Sequence, residues 1–159
     1  ANGVCPSLGR IAPETDIAYD PNFFADLLPA VAVSWDNANT FCAWVGARLP
    51  REEEWEKAAR GTDGLRRYPW GYTFEPGRAN LASGFPTAVG SYPGGVSPYG
   101  VMDMAGNVFE WTATATGDGR YILRGGAWSK FYFRGRAAVR GTKLAPNFVN
   151  YDIGFRCAQ

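Results

Sequence analysis

Histidine is absent from all 159 residues. Within this chain that excludes Ser-His-Asp and Cys-His nucleophile activation, the His-Glu-x-x-His zinc helix, and iron or copper sites built on imidazole. Cysteine is nearly as scarce. Cys5, Cys42 and Cys157 stand far apart with no Cys-x-x-Cys pair, which removes the zinc ribbon and the thioredoxin-type motif and allows at most one internal disulfide. Long apolar runs are missing too: none approaches the roughly 20 residues that cross a bilayer, so no membrane insertion is expected. Lys+Arg 16 against Asp+Glu 15 leaves a net charge of +1 with no basic run. Such a chain has no electrostatic footprint for a phosphate backbone, and no nucleic-acid partner is expected.

What the chain has in quantity is Gly 20, Pro 11, and an aromatic set of Trp 6, Tyr 8 and Phe 10. That mixture predicts many turns pinned by large flat side chains, with few long helices. With 46% hydrophobic residues, a chain of this length buries roughly 70% of its unfolded surface, enough for a self-sufficient core. Residues 1–30 contain Pro6, Pro13, Pro21 and Pro29 and no sustained period, so they read as an irregular arm; residues 31–159 form the domain proper. The chain opens Ala-Asn-Gly, with neither an initiator Met nor a signal-peptide pattern. A processed or truncated start is compatible with this, and the compartment stays open.

Two helices are predicted. Ser34 caps the first, which runs to about Val45 with Ala38, Phe41, Cys42 and Val45 on one buried face and Gly46 as its stop. The second follows Leu49-Pro50, with Glu52, Glu53 and Glu54 in its first turn, Lys57 and Arg60 near its end and Gly61 beyond it. Trp55, Ala58 and Ala59 give that helix a narrow apolar stripe, and its charge run reads as a solvated face. Gly and Pro punctuate Tyr68 to Tyr99 too often for regular elements. Short strands are predicted at Val101–Met104, Val108–Thr112, Tyr121–Arg124 and Ile153–Cys157. The fold class is α+β: two helices, a small antiparallel sheet and long structured loops.

Eight ordered blocks carry a family resemblance: Val33–Ala38, Gly46–Gly61, Tyr68-Pro-Trp-Gly71, Ala79-Asn-Leu81, Ser97–Val101, Asp103–Thr112, Leu123-Arg-Gly-Gly-Ala-Trp128 and Ile153-Gly-Phe-Arg-Cys157. Their order and spacing resemble the formylglycine-generating enzyme, or sulfatase-modifying-factor, family, whose domain is a variant of the C-type lectin-like fold. That scaffold carries copper oxidases, iron sulfoxide synthases and non-catalytic binding proteins, so the site must decide the function. The oxidases place a copper-binding cysteine pair after Arg-Gly-Gly, where this chain has Ala127–Arg136 without cysteine. Lys, Phe and Tyr cannot replace thiolates for Cu(I). The sulfoxide synthases use histidines, which are absent. No copper or iron is expected.

The resemblance also implies a disulfide between Cys42 and Cys157, with two buried thiols packing as small hydrophobes as the alternative. It implies a Ca2+ loop in which Asp103, Asn107 and Glu110 offer side-chain oxygens and Gly106 and Val108 backbone carbonyls. The alternative there is that Asn107 and Glu110 satisfy turn N–H groups without an ion.

Between Arg-Gly-Gly and Ile-Gly-Phe-Arg the composition changes. Trp128, Ser129, Lys130, Phe131, Tyr132, Phe133, Arg134, Thr142, Lys143, Asn147, Phe148, Asn150 and Tyr151 are the candidate ligand-binding residues. Three successive aromatics cannot all enter one core from a strand, because neighbouring side chains alternate faces. Rigid aromatics among Ser, Asn and Gly are what contact loops use. The placement resembles the variable proteins of diversity-generating retroelements, where Asn codons become Phe, Tyr, Ser, Gly, Val, Asp, Leu or Thr; Lys130 and Lys143 stand outside that set. The expected function is a non-catalytic domain presenting this segment to a protein or other macromolecular ligand. An oxidase acting on a peptide cysteine, and a structural accessory domain of a larger protein, are the competing expectations.

Overall fold

The computed structural model describes residues 21–62 and 64–159, so Cys5 and most of the 1–30 arm lie outside the described residues. Two helices and four strands are present among them. Helix α1 is Trp35–Trp44 and α2 is Glu52–Arg60; the strands are β1 (Phe109–Ala115), β2 (Tyr121–Arg124), β3 (Lys143–Leu144) and β4 (Ile153–Gly154). Strand order is β3-β2-β1-β4. β1 and β2 form an antiparallel pair with Glu110 opposite Arg124, and β2 pairs with β3 in the same sense. β4 joins the other edge of β1 in parallel, Phe109 opposite Ile153. The sheet is therefore mixed rather than antiparallel, because the long chain between β2 and β4 supplies the crossover a parallel neighbour needs.

Both helix starts follow from the sequence. The Ser34 hydroxyl accepts the Asn37 N–H at 3.2 Å, closing one free donor of the first turn of α1. Ala38 and Cys42 are buried as their spacing requires, but Val45 is 46% exposed because α1 ends one residue before it. At the start of α2 the Glu54 carboxylate accepts the Arg51 N–H at 2.8 Å and clamps the Arg48 guanidinium at 2.6 and 2.9 Å. The Arg48 hydrogen bond, with the Arg51 N–H next, lowers the Glu54 carboxyl from the usual 4.5 to about 2. A depressed carboxyl stabilises the fold above its unfolded pKa and loses that contribution as pH falls through the folded one. An NMR titration should therefore find the Glu54 carboxyl half-protonated near pH 2, and Glu54→Gln should remove part of the acid-induced loss of stability between pH 4.5 and 2. A midpoint near 4.5 would show that the clamp does not form in solution.

The expectation of a solvated charge face on α2 is corrected by its inner side. Glu52 is buried, accepts from Arg140 Nε at 2.6 Å, and lies 3.5 Å from Arg124 Nη1. Glu56 binds both Arg60 and Arg124. Arg124 comes from β2, is 0% exposed, and lies over the Trp55 ring at 5.5 Å. Glu53 and Lys57 remain exposed, as predicted for the outer side.

The main core joins α1 to the sheet through Ala38, Cys42, Leu49, Phe109, Trp111, Leu123, Ala127 and Ile153. Cys42 and Cys157 are disulfide-bonded, with Cα atoms 5.4 Å apart, which ties α1 to the chain just after β4. Trp35 stacks on Tyr121 with centroids 3.8 Å apart and donates its indole N–H to Thr112 O at 2.9 Å. A second cluster sets Trp55 and Ala59 of α2 against Met104 and Ala137, and a third holds Phe23, Val31 and Val108.

Two strand expectations change. Val101–Met104 forms no strand, since Asp103 takes φ +57 and breaks the extended path while Met104 is buried locally. The last strand stops at Gly154, leaving Arg156 free to turn toward Glu110. The Tyr68–Tyr99 stretch is irregular as predicted, with only the short 3-10 turn Pro93–Gly95 inside it.

Candidate functional site

The site grows from the end of β2. Gly125 and Gly126 take φ +93 and +77, a conformation that side chains rarely adopt. A Cβ on Gly126 would lie 2.9 Å from the Arg134 carbonyl carbon and oxygen. The double glycine thus lets the following 3-10 turn, Tyr132–Gly135, press its backbone onto the sheet end. Gly135 is buried and completes that contact. With the backbone held inward, Phe131, Tyr132 and Phe133 project outward, 69%, 50% and 44% exposed. Gly126→Ala should cost about 1–3 kcal/mol through left-handed strain and the Arg134 clash. The amide shifts expected to move most are those of residues 131–135; an unchanged melting temperature would contradict the close approach.

The exposed aromatics do not stand alone. Tyr132 meets Phe74 with centroids 5.1 Å apart, Phe74 lies 6.4 Å from Trp70, and Trp70 stacks on Tyr68 at 5.1 Å. Tyr132 and Phe133 meet edge to face at 6.1 Å, and Phe133 is parallel to Phe131 at 6.3 Å. Arg134 lies over Phe133 at 5.8 Å and Arg67 over Tyr72 at 4.3 Å. A continuous aromatic band therefore joins the 131–133 segment to the loop 68–74. Sequence reasoning missed the loop half. Its signal was available: Tyr68, Trp70, Tyr72 and Phe74 recur at every second residue.

The other predicted contact residues separate into distinct environments. Trp128 and Tyr151 fold onto Phe23, which stacks on Tyr151 at 4.4 Å, so both are partly buried in the third cluster. Ser129 Oγ donates to Asp152 Oδ2 at 2.6 Å and Lys130 Nζ pairs with the same oxygen at 3.2 Å. Thr142 is exposed but uses its carbonyl to accept Leu123 N–H at 3.1 Å. Lys143 lies on edge strand β3 and pairs with Asp118 at 3.1 Å. Asn147 is exposed, Phe148 packs on the main core, and Asn150 O accepts from Ala32 and Ile153 N–H. Residues 131–134 are the part of the segment that combines exposure with ring contacts.

Asp103, Gly106, Asn107, Val108 and Glu110 line one cavity of about 320 Å³ with Leu28, Met102, Phe155 and Arg156. The side-chain oxygens of Asp103, Asn107 and Glu110 are taken up by protein donors and do not fit a Ca2+ ion. Glu110 accepts from Arg156 at 2.6 Å on each oxygen and from the Trp55 indole N–H at 2.5 Å. Asp103 Oδ2 accepts the Gly90 N–H at 2.7 Å, and Asn107 Oδ1 accepts from Asn80 Nδ2 at 3.1 Å and Thr87 N–H at 3.0 Å. A cation bound to Glu110 would also face the Arg156 guanidinium. Burial alone would lower the pKa of Arg156, but the charge and hydrogen bonds of Glu110 outweigh it and hold that pKa raised. Among the described residues no group of three His, Cys, Asp or Glu is arranged to hold a metal. Among the described residues copper fits no better, since the thiols of Cys42 and Cys157 are spent in the disulfide.

Residues 19–159 match the model of the sulfatase-modifying factor enzyme 1-like domain. The chain belongs to that family. Within the sulfatase-modifying factor family it is 42% identical over 151 residues to the mouse protein named inactive C-alpha-formylglycine-generating enzyme 2, covering 82% of this chain and 49% of that one. The chain thus spans about half the length of that curated relative. Among solved structures, PvdO from Pseudomonas aeruginosa superposes with a TM-score of 0.70 at 28% identity, covering 81% of this chain and 60% of the other. Treponema denticola variable protein 1 shares the fold, with a TM-score of 0.64 at 20% identity over 81% of this chain and 70% of its own.

Proposed function

We propose that this sulfatase-modifying-factor domain is a non-catalytic binding protein that presents the 131–134 turn to a protein partner. One observation carries the reading: Phe131, Tyr132 and Phe133 are exposed together, in the segment after the double glycine. Large aromatics gain affinity only when a partner covers them, and Ser129, Lys130 and Arg134 around them supply discrimination. The relative named inactive and the fold shared with a variable protein are consistent with it. We further read Trp128–Asp152 as a diversified segment of the retroelement type. A nearby copy of the 3′ end differing at adenines, beside a reverse-transcriptase gene, would support that; a locus without one would return the segment to ordinary family variation.

The direct experiment selects peptides from a random display library on the immobilised chain and retests them on a variant with Phe131, Tyr132 and Phe133 changed to Ala. Binding should vanish while the melting temperature falls by no more than about 5 °C, because exposed substitutions usually alter stability by under about 0.5 kcal/mol each and these rings touch one another and Phe74 at the surface. A large thermal loss would make the three rings core. Oxygen uptake by the purified chain with copper and a cysteine-containing peptide would instead overturn the non-catalytic assignment.

A further inference from the structure

The aromatic band does not end at the predicted segment. Half of it comes from the loop 68–74, which starts with the third sequence block, with Tyr72 61% exposed and Trp70 and Phe74 half-buried. The Trp70 indole N–H donates to Thr73 O at 3.0 Å and the Ala137 N–H to Arg67 O at 2.7 Å. The first bond braces the loop internally and the second ties it to the chain that follows the 3-10 turn, so the two halves of the band are held together without a ligand.

The unpaired charges beside the band are, among the described residues, of one sign. Arg67 and Arg134 lie on its rings and are exposed, and Arg136 follows directly after the turn with a buried Nε that makes no hydrogen bond. None of the three takes part in an ion pair among the described residues. The acid nearest in sequence to the loop's rings, Glu75, is held by Arg78 at 2.7 Å. Elsewhere on the molecule arginines are mostly paired with carboxylates, as Arg48, Arg60, Arg124, Arg140 and Arg156 are. Cations left unpaired beside exposed apolar rings suit a partner that brings the carboxylates itself.

We propose that residues 67–74 form a fixed half of the binding surface, and that the whole surface selects a polypeptide segment carrying Asp or Glu side chains beside an aromatic or proline residue. This rests on the binding reading above and extends it to a partner class. A nucleic acid fits less well, because its backbone needs a continuous cationic track, whereas the chain as a whole carries a net charge of only +1.

The experiment uses the same peptide selection on the full 159-residue chain, sequencing the enriched wild-type pool and retesting its peptides on variants. In the wild-type pool, Asp and Glu should be enriched next to Phe, Tyr, Trp or Pro. A synthetic peptide from that pool should bind Tyr72→Ala at least tenfold more weakly. It should also bind the double variant Arg67→Ala, Arg134→Ala at least tenfold more weakly, with much of its salt dependence lost. Lys57→Ala, on the outer face of α2, should match the wild type. Two results separate the layers of the proposal. Peptides that need Phe131–Phe133 but show no acidic bias and bind Tyr72→Ala normally overturn the fixed acidic-partner half and leave the binding function standing. A pool that survives loss of all three aromatics overturns the binding function itself. Tight salt-dependent binding of a dT12 oligonucleotide, with no peptide enriched, overturns the choice of partner class.

Discussion

Changing Glu52 and Glu56 together to Gln should lower the unfolding free energy by about 3–5 kcal/mol, the usual loss when a buried charge is stripped of its partners. Arg124 is the charge in question. It is 0% exposed, and its carboxylate partners are Glu52 and Glu56. Its Nε and Nη1 make no hydrogen bond even in the native chain. With both carboxylates neutralised, the guanidinium would keep its full desolvation penalty against only the Trp55 ring. Against a total stability of about 5–15 kcal/mol, that loss is large. The sign of a third change makes the prediction sharp: adding Arg124→Met to the double variant should recover most of the stability, since an apolar side chain of similar length needs no counter-charge. Urea unfolding followed by Trp fluorescence gives both numbers. A double variant within about 1 kcal/mol of wild type, the error of such extrapolations, would show that the cluster is hydrated in solution.

Breaking the Cys42–Cys157 bridge is expected to have a similar effect by a different route. The bond closes a loop with a sequence separation of 115, for which the chain-entropy relation gives about 4.8 kcal/mol, while native bridges removed from small domains cost about 2–5 kcal/mol. The Cys42→Ala, Cys157→Ala variant should therefore unfold at much lower urea, and with a steeper dependence on urea, because the untethered denatured chain exposes more surface. Wild-type protein in reductant should follow the same curve. Identical midpoints with and without reductant would mean that the two sulfurs do not pair in solution.

The legible parts of the fold were those that local chemistry decides. Ser34 before an apolar helix face, and three glutamates ahead of Lys57 and Arg60, placed both helices within a residue. The disulfide came from resemblance to a family, since spacing alone could not choose among three cysteines. What stayed hidden depended on contacts between distant residues. β3 is only Lys143–Leu144, too short to show alternation, and exists because β2 offers it an edge. The parallel placement of β4 is invisible in five residues of sequence. Glu52 looked like one more helix-start acid until Arg124 and Arg140 were brought to it from the sheet and from the chain beyond it. The site divided in the same way. That some of residues 131–133 must be exposed followed from three aromatics in succession, whereas the 3-10 turn that exposes all three and their junction with Phe74 depend on the path of the loops.

The parallel neighbour of β1 has a consequence for how this domain can change. The chain from Gly125 to Asp152 leaves the sheet at β2, touches its edge once at the two-residue strand β3, and returns at β4; β2 and β4 both flank β1. The two ends of that excursion are anchored to the same strand, whatever lies between them. Doubling the length of such a loop costs only about 0.6 kcal/mol in closure entropy. Replacement of the exposed side chains at 131–133 and at Asn147, and insertions at those tips, should therefore leave the rest of the molecule intact. The architecture separates what must be inherited unchanged from what is free to be rewritten.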